Sequence, residues 1–593
     1  MSGYLFAHFT GEKKGEEQVY FALSRDGLFW KDMNEGRPVL TSDRGEKGAR
    51  DPFLIRDTRR KKYYLIATDL RIEAGKGWKV AQEEGSPYLL VWESEDLIHW
   101  SEERMCKIAP EGAGCVWAPE AIFDEERGAF LVFWASKIQL SGEDRAKHRI
   151  FASYTKDFVD FSEPFVFLER DEDVIDTTIF VSEGKYYRIS KDETTSRLIF
   201  EVADSLTGVY TELPSDFLAA LAGVEGPECY RLPDGRWCLI ADRFKAGKGY
   251  MPIYIEDLQS GSFVAAEEEE FDFGRSTKRH GGVLPLTDEE YRAVWEALHE
   301  DDQVLEGLYA DPDLVQFGDT FYLYPTTDGF TNWSGSEFSV FSSKDGRHFE
   351  NRGKILDLAS EDVPWAVGYA WAPCIAEKNG NYYFYFCGKR EDGKSCIGVA
   401  KAESPLGPFL AEKEPLLTPE LLLECQHKAA AVIDPSVYWE GEDCYLVFGN
   451  CEPFLVKLTE DMLHIEPESL TWFAGAVDFR ESMIITKREG IYHFTWSCDD
   501  TGSENYHVNY GTSDCLTGPI RFEGCILEKK GESLGTGHHS ILKLDGKDEY
   551  RIAYHRFGTP LKKYKEGKGF HREVCMAELT FGEDGKMQKV KIR

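Results

Sequence analysis

Two sets of acidic residues, each followed by a histidine, occur along the chain in the same order. They are Asp51, Asp176, Glu225 and His280 in the first half, and Asp311, Asp434, Glu481 and His538 in the second. Carboxylates that lie close together raise one another's pKa, so that one can stay protonated near neutral pH while another is ionised. Hydrolysis of a glycosidic bond requires such a pair of carboxyl groups. Each half therefore carries a candidate acid–base site.

Short signatures surround these residues and recur about 254 to 260 residues later. The paired signatures are ARDPFLI and YADPDLV, WAPEAI and WAPCIA, VIDTTIF and VIDPSVY, EGPECYRL and RESMIITK, and RHGGVLPL and GHHSILKL. The nearly constant distance indicates a tandem duplication. Duplication also copies structural residues: an Asp-Pro dipeptide often begins a strand after a turn, and Trp117 and Trp371 would fit the core of a strand. Recurrence of the whole ordered set is what favours a functional site.

The composition is that of a large globular protein. Of its 593 residues, 42% are hydrophobic and 13% aromatic, which is enough for two sizeable cores. The chain has 105 acidic and 69 basic residues, and its net charge of -36 would repel nucleic acid and anionic membranes. We therefore expect a small neutral substrate and no nucleic-acid or membrane partner. The first residues do not resemble a secretion signal, and the fourteen cysteines are scattered, so we expect a cytoplasmic protein with reduced, mostly buried thiols.

The elements that must position the carboxylates are β-strands. Short runs rich in aromatic and β-branched residues, such as KKYYLIATDL, GAFLVFWAS, NYYFYFCG and GIYHFTWS, are typical of strands. Turns such as SRDGLFW, SEDLIHW and SKDGRHF follow several of them, where Ser and Asp can bond to nearby backbone groups. Five signatures per half, spaced by roughly 47 to 66 residues, predict an all-β fold of two tandem five-bladed β-propellers. The innermost strands of a propeller converge on its axis, which would bring the carboxylates together.

The duplication also predicts the domain boundaries. We predict an N-terminal propeller over residues 1–286, a helical linker over 287–303 and a C-terminal propeller over 304–593. The linker helix TDEEYRAVWEALHE begins with a capping-box pattern from Thr287 to Glu290. Because YLFAHFTGE at the start of the chain resembles YRIAYHRFG in the second half, we expect it to supply a strand of the last blade of the first propeller.

An early Asp-Pro, a WAP signature, an IDP-type signature, an EGP-type glutamate and a late GxGHxS, in this order, resemble glycoside hydrolase family 43. The resemblance covers nearly the whole chain, once per half. It implies a five-bladed propeller and hydrolysis with inversion, mostly of arabinose- and xylose-containing plant polysaccharides. Clans that cleave fructosides also use RDP and EC signatures. In those proteins RDP comes second, whereas ARDP comes first here, so that assignment is disfavoured.

The resemblance implies a role for individual residues of the second half. Asp311 would be the general base, Glu481 the general acid, and Asp434 would raise the pKa of the acid and orient it. Trp371 would form an aromatic wall against a sugar ring. Arg556 would reach a substrate hydroxyl.

His538, with His280 as its counterpart, would lie on the propeller axis, where many members of the family hold a calcium ion or a water cluster. Acid–base hydrolysis by two carboxylates requires no cofactor, so we expect at most a structural calcium ion. In the first half the same roles would fall to Asp51, Glu225, Asp176 and Trp117.

The chain departs from the family pattern at several points. Glu481 lies in RESM rather than in an EGP-like context, and Asp478 is its nearest rival. VIDTTIF lacks a proline after Asp176, and AHFTG has no counterpart of Arg556. Because the first half lacks this proline and this arginine, we expect the second half to be the main hydrolase. Because both halves carry three carboxylates, we expect the first to be active as well.

Three functions remain open at this point. The first is an exo-acting α-L-arabinofuranosidase or β-D-xylosidase that removes terminal pentoses from short hemicellulose-derived oligosaccharides. An endo-acting arabinanase is the alternative enzyme, and it would need an open cleft. The non-enzyme alternative is a carbohydrate-binding propeller, in which the carboxylates would be dispensable.

Overall fold

A computed structural model of the protein describes residues 3–427, 431–564 and 568–593. The chain divides into two compact units, Met1–Glu300 and Asp301–Arg593. Strands dominate the described part of each unit, so the predicted all-β class is confirmed. None of the described helices is long and apolar enough to cross a membrane.

The first unit contains, within its described residues, twenty strands in five four-stranded antiparallel sheets. The strands are β1 (Gly3–His8), β2 (Tyr20–Ser24), β3 (Lys31–Asp32), β4 (Ala49–Asp57), β5 (Lys62–Asp69), β6 (Tyr88–Ser94), β7 (Arg104–Lys107), β8 (Trp117–Asp124), β9 (Ala129–Ile138), β10 (Lys147–Thr155), β11 (Phe165–Leu168), β12 (Val174–Ser182), β13 (Lys185–Asp192), β14 (Arg197–Ala203), β15 (Thr211–Glu212), β16 (Glu225–Arg231), β17 (Trp237–Asp242), β18 (Tyr250–Asp257), β19 (Ser262–Ala265) and β20 (Gly281–Leu286). The sheets have the orders β20-β1-β2-β3, β4-β5-β6-β7, β8-β9-β10-β11, β12-β13-β14-β15 and β16-β17-β18-β19.

The second unit repeats this plan with nineteen strands in its described residues. They are β21 (Tyr309–Phe317), β22 (Thr320–Thr327), β23 (Glu337–Ser343), β24 (Glu350–Asp357), β25 (Trp371–Lys378), β26 (Asn381–Lys389), β27 (Ser395–Ala402), β28 (Leu410–Ala411), β29 (Ser436–Glu440), β30 (Asp443–Phe448), β31 (Phe454–Leu458), β32 (Ile465–Trp472), β33 (Glu481–Arg488), β34 (Ile491–Cys498), β35 (His507–Ser513), β36 (Arg521–Leu527), β37 (Gly537–Lys543), β38 (Tyr550–Phe557) and β39 (Arg572–Leu579). Four sheets contain four consecutive strands each, from β21 to β36, and the fifth is β37-β38-β39.

In the sheet orders given above, the strand named first in each sheet contacts the strands named first in two other sheets. These contacts follow a cyclic order. The order is β4, β8, β12, β16, β20 and back to β4 in the first unit, and β21, β25, β29, β33, β37 and back to β21 in the second. In the first unit the start of the chain takes part: β1 pairs with β20 from Gly3 opposite Leu286 to His8 opposite Gly281. The predicted pairing of the N-terminal strand with the last sheet of the first half is therefore confirmed.

The cores lie between neighbouring sheets. One cluster, for example, joins Tyr385 and Val399 of the β25–β28 sheet to Leu446 and Val456 of the β29–β32 sheet, all of them buried. Full burial of a large apolar side chain stabilises the fold by about 1.5–3 kcal/mol. All fourteen cysteines are free and eight of them are buried.

The turn signatures form the bonds that their residue types predict. In the first of them the Ser24 hydroxyl accepts the Gly27 amide at 2.8 Å, and the Asp26 carboxylate accepts the Phe29 amide at 2.8 Å. Ser343 and Asp345 bond to the backbone in the same way in the second unit. These turns hold the outer corners between strands.

Helices are few in the described residues. They are α1 (Trp78–Glu83), α2 (Asp216–Ala220), α3 (Asp288–Leu298) and α4 (Pro419–Glu424), with 3-10 turns at Asn34–Gly36, Ile72–Ala74, Phe244–Ala246, Thr331–Trp333, Leu561–Tyr564 and Lys568–Phe570. The predicted capping box of α3 is present, with Thr287 and Glu290 each accepting the other's amide. Tyr291 and Val294 pack in one core cluster with Leu286, so α3 is part of the first unit.

Candidate active site

Strained backbone positions hold most of the candidate carboxylates. Four aspartates have positive φ angles, which are uncommon for residues other than glycine: Asp51 (49°), Asp176 (46°), Asp311 (47°) and Asp434 (61°). Bulges interrupt the strand register beside Asp51, Asp176, Glu225, Asp311 and Glu481. A bulge re-aims a side chain relative to the sheet. The strands thereby direct these carboxylates out of the regular sheet pattern and towards one another.

Asp311 of the second unit is 5% exposed and is surrounded by hydrogen-bond donors. One carboxylate oxygen accepts the Thr326 hydroxyl at 2.8 Å. The other lies 3.0 Å from an Arg572 nitrogen and 3.0 Å from His555 Nδ1. Burial alone would raise the pKa of Asp311, but Arg572, His538 and His555 hold it well below its ordinary value. Asp311 is therefore ionised at neutral pH.

Glu481 is equally buried, yet its partners are neutral. Its Oε1 accepts the Tyr506 hydroxyl at 2.9 Å, and its Oε2 accepts the Asn450 amide at 2.9 Å. Arg480 is more distant, with its Nε 3.7 Å from Oε2. Burial raises the pKa of Glu481 to about 7, against the opposing effects of Tyr506 and Arg480. A large fraction of Glu481 is therefore protonated at neutral pH.

His538 lies between the base position and the third carboxylate. Its Nδ1 is 3.3 Å from Asp311 Oδ1 and 3.7 Å from Asp434 Oδ2. Burial lowers the pKa of His538 to about 4, so the ring is neutral at neutral pH. Burial, together with the nearby Glu481 and Asp311 carboxylates, raises the pKa of Asp434 well above its ordinary value. The structure thus brings the predicted Asp311, Asp434 and His538 together.

Trp371, for which an aromatic wall is predicted, lies next to Ala372, whose amide donates to Thr326, the partner of Asp311. The half-buried Trp371 donates its ring N–H to the Trp333 carbonyl at 2.7 Å, which fixes the orientation of the indole. Tyr369 meets Trp371 edge-on, with ring centroids 5.5 Å apart. The Lys389 ammonium lies 4.9 Å from the centre of the indole. An indole held in this way suits packing against a sugar ring.

The prediction for Arg556 is corrected. Its side chain is fully buried and forms ion pairs with Glu573 at 2.8 Å and Asp301 at 2.7 Å. Successive side chains of a strand point to opposite faces, so Arg556 faces away from the side on which His555 contacts Asp311. The arginine at the site is Arg572, which also bonds to Asp328 at 2.8 Å.

Four residues beside the carboxylates escaped the sequence reasoning: His555, Arg572, Tyr506 and Asn450. His555 lies in β38 and Arg572 begins β39, whereas Tyr506 lies just before β35 and Asn450 lies between β30 and β31. None lies in a repeated signature. Alternation along YRIAYHRF was the available signal, because only one of His555 and Arg556 can face the axis.

In the first unit, His280 lies between Asp51 and Asp176. Its Nδ1 is 3.6 Å from Asp51 Oδ1 and 3.8 Å from Asp176 Oδ1. Asp51 accepts the Thr68 hydroxyl at 2.8 Å, and Asp176 accepts the Gly226 amide at 3.1 Å. Three predicted residues are therefore again brought together.

Glu225 of the first unit differs from Glu481 in its partners. Its two oxygens accept the Lys191 ammonium at 3.0 Å and an Arg279 nitrogen at 2.9 Å. Burial would raise the pKa of Glu225, but these two cations lower it below its ordinary value. Lys191 and Arg279, like the four residues above, were not predicted. Trp117 lies at the rim, edge-on to Trp78 with ring centroids 5.9 Å apart.

The residues around the two histidines do not fit a calcium ion. Calcium takes six to eight oxygen ligands. Beside each histidine only two carboxylates lie within 3.8 Å of Nδ1 among the described residues. Among the described residues, no group of three or more His, Cys, Asp or Glu side chains could hold a metal ion. The possible calcium sites near His280 and His538 are not supported by this donor set.

Comparison with known proteins agrees with this acid–base site. Residues 1–292 match the family model for a probable glycosyl hydrolase domain, and residues 301–587 match that for glycosyl hydrolases family 43. Together the matches and the paired carboxylates define a glycosidase. The chain belongs to glycoside hydrolase family 43.

Three curated relatives illustrate the similarity. An α-L-arabinofuranosidase of Bifidobacterium longum subsp. longum is 31% identical over 41% of this chain, which spans only 27% of that protein. A β-D-galactofuranosidase, xynD, of Aspergillus niger is 30% identical over 49% of this chain and 84% of its own. A xylosidase/arabinosidase of Bacteroides ovatus is 26% identical over 47% of this chain and 93% of its own. Among solved structures, a GH43_1 enzyme from Xanthomonas citri aligns over 48% of this chain and 93% of its own, with 26% identity and a TM-score of 0.41.

We predict that Arg572→Met destabilises the second unit by about 3–5 kcal/mol at pH 7, because it leaves Asp311 and Asp328 buried without their cation. Urea unfolding measures the change. Arg521→Met is the matched control: it removes an exposed ion pair with Asp514 and should change stability by less than about 1 kcal/mol. Equal effects of the two substitutions would contradict the assigned role of Arg572.

Proposed function

We propose that the second unit is an exo-acting, inverting glycoside hydrolase that removes terminal α-L-arabinofuranosyl or β-D-xylosyl residues from short hemicellulose-derived oligosaccharides. The observation that supports the proposal is the difference in protonation between two buried carboxyl groups. Asp311 is held ionised by Arg572, while Glu481, bonded to neutral partners, keeps its proton near neutral pH. That is the protonation state that acid–base hydrolysis requires.

In the proposed reaction, Asp311 accepts a proton from the attacking water, and Glu481 gives its proton to the glycosidic oxygen. Asn450 donates to Glu481 Oε2 and has no proton-accepting atom there, so the transferable proton resides on Oε1. The Tyr506 hydroxyl at Oε1 can turn to accept that proton or donate to the carboxylate, and so serves both states. The water is oriented for attack while the leaving oxygen is protonated on the opposite side of the sugar.

The other residues of the site hold these two groups in place. Asp434 would position the acid; burial and the carboxylates of Glu481 and Asp311 raise its own pKa and so favour its uncharged, protonated form. His538 would separate Asp434 from Asp311 by its neutral ring. The indole of Trp371 would support the sugar face, because its position is set by the bond to Trp333. No step of this reaction passes through a metal ion.

The names of the relatives support pentosides as substrates. They include an α-L-arabinofuranosidase, xylosidase/arabinosidases and a β-xylosidase. The β-D-galactofuranosidase name of one relative makes a β-D-galactofuranoside the comparison substrate in the steady-state assay below.

We also propose that each unit contains a five-bladed β-propeller, over residues 1–286 and 304–593, with α3 packed on the first of them. The cyclic contacts among first strands support this arrangement, since five sheets around one axis produce such an order. It would explain why carboxylates about 50 to 170 residues apart in the chain lie together.

We predict that Asp311→Asn lowers kcat/KM for an aryl α-L-arabinofuranoside or β-D-xyloside by about 10²- to 10⁴-fold, the usual contribution of a general base. Steady-state assays of the full chain measure it. The control is Asp461→Asn, an exposed turn aspartate of the same unit, which should leave kcat/KM unchanged. Turnover of no pentoside and no galactofuranoside by the wild type would sink the proposal.

The pH profile supplies a second test. Because Glu481 must be protonated and its pKa is about 7, kcat/KM should fall as the pH rises through about 7. Tyr506→Phe removes a bond that favours the ionised form, so the pKa of Glu481 should rise and the alkaline limb should move to higher pH. Tyr324→Phe removes a hydroxyl that donates to the Pro405 carbonyl and should leave the limb in place. An unmoved limb in Tyr506→Phe would assign it to another group.

Product stereochemistry tests inversion. NMR spectra recorded in the first minutes of hydrolysis should show the anomer opposite to that of the substrate, because water attacks directly in a single displacement. A xyloside is the clearer substrate, since the ring forms of xylose are easily told apart by their anomeric protons. Initial release of the anomer with retained configuration would exclude Asp311 as a base acting on water.

A further inference from the structure

The first unit contains a cavity of about 470 Å³ at the predicted site residues. Trp78, Trp117 and Phe244 line it together with Asp51, Asp176 and Glu225. This volume falls within the range of about 300–1,000 Å³ that is usual for small-ligand pockets. Aromatic side chains beside a few polar groups are the combination that a sugar requires, with its apolar C–H faces and its hydroxyl edges. The cavity is therefore suited to a saccharide.

The acid position of this cavity is occupied by an ion-pair network. Both oxygens of Glu225 accept hydrogen bonds from cations, Lys191 and Arg279. The network extends outwards, because Lys191 also pairs with Glu193 at 2.6 Å and Arg279 with Asp242 at 2.5 Å. Glu225 is thus an anion with both oxygens engaged by positive charge. Protonating it would leave two half-buried or buried cations with one partner fewer.

In the second unit no cation is hydrogen-bonded to the acid among the described residues: Arg480 Nε lies 3.7 Å from Glu481 Oε2, and Arg480 pairs with Asp500 at 3.0 Å. Glu481 is bonded by the hydroxyl of Tyr506 and the amide of Asn450, both uncharged. A general acid must hold a proton until the leaving oxygen takes it. Glu481 can do so and Glu225, between two cations, cannot.

The base position differs as well. Aligning YLFAH with YRIAY matches His8 to Tyr554, and their strand partners are Tyr20 and Cys575. Three residues before these partners lie Glu17 in the first unit and Arg572 in the second. Glu17 is buried and forms an ion pair at 2.9 Å with Arg50, the residue before Asp51. The charge that holds Asp311 ionised is therefore reversed at the corresponding position of the first unit.

The aromatic wall, by contrast, is well formed. Trp117 meets Trp78 edge-on at 5.9 Å and stacks on His148 at 5.7 Å with an angle of 27° between the rings. Trp78 is 43% exposed, so its ring is available at the mouth of the cavity. The first unit therefore keeps aromatic side chains that can bind a sugar, although its Glu225 cannot act as a general acid.

We infer that the cavity of the first unit binds a neutral pentose-containing oligosaccharide without hydrolysing it, with Trp117 as the aromatic platform and Asp51, Asp176 and Glu225 as hydrogen-bond acceptors for its hydroxyls. This differs from the expectation that the first half is a second hydrolase. The inference rests on the proposed function only for the class of sugar. A binding site on the same chain as a hydrolase would hold a branched or longer substrate near the catalytic unit by raising its effective concentration.

The test uses the full chain carrying Asp311→Asn, which silences the second unit, and unactivated oligosaccharides, whose cleavage requires an acid. Xylotriose and α-1,5-arabinotriose are the probes. Calorimetric titration should detect at least one binding site, and adding Trp117→Ala should remove one site or weaken it about tenfold or more. Trp472→Ala, an exposed tryptophan of the second unit at 48%, is the matched control and should leave the titration unchanged.

Product analysis after long incubation supplies the second readout. The Asp311→Asn chain should release sugar from either probe only at the low residual rate of the second unit, and adding Glu225→Gln should leave that rate unchanged. Release that disappears on adding Glu225→Gln would overturn the inference, because it would show that Glu225 acts as an acid. Binding that Trp117→Ala leaves intact, or the absence of any binding, would overturn it equally. A wild type that hydrolyses no glycoside would instead refute the proposed function and leave the calorimetric result to decide this inference.

Discussion

An ionised carboxylate buried in a protein needs a compensating charge, and at the second site Arg572 supplies it. The guanidinium bridges Asp311 and Asp328, and all three side chains are almost completely buried. Without that cation, burial would favour protonated carboxyl groups throughout the site, as it does at Asp434. With it, the negative charge settles on Asp311, and the repulsion that this charge exerts on Glu481 helps to keep the acid protonated. The chemical asymmetry of the site follows from one arginine.

The two units show how far such partners decide chemistry. Each brings two aspartates and a histidine into contact on the same frame of first strands, and each places a glutamate at the start of the fourth. The side chains hydrogen-bonded to the glutamate are uncharged in the second unit and cationic in the first. The sequence signatures contain only the carboxylates, so the two sites look equivalent in the sequence. The side chains that bond to the glutamate make the two sites chemically different.

Much of the frame could be predicted from the sequence because it depends on local patterns. Strand runs, Ser-x-Asp turns and the capping box at Thr287 each involve residues close together in the chain, and all of them formed. The carboxylates could be predicted because they lie in signatures that occur in both halves of the duplicated sequence. Arg572 was missed because it reaches Asp311 from another sheet, and Tyr506 because it precedes β35, two strands away from Glu481 in the same sheet. Both positions depend on how the strands assemble. Arg556 was chosen wrongly because its neighbour His555, with the opposite orientation, was the residue that faces Asp311.

The strained backbone at the aspartates links stability to function. A non-glycine residue held at positive φ raises the free energy of the folded state by about 1–3 kcal/mol, and four such aspartates occur at the two sites. Asp311 recovers part of this through Arg572, Thr326 and His555. Asp51 has Thr68 and a more distant His280. The backbone geometry is nevertheless the same, with φ values of 47° and 49°, so the bulge and not the ion pair sets it. The side chains around these aspartates can therefore differ between the two units, and with them the chemistry that we propose for each site, while the backbone that presents the carboxylates keeps the same geometry.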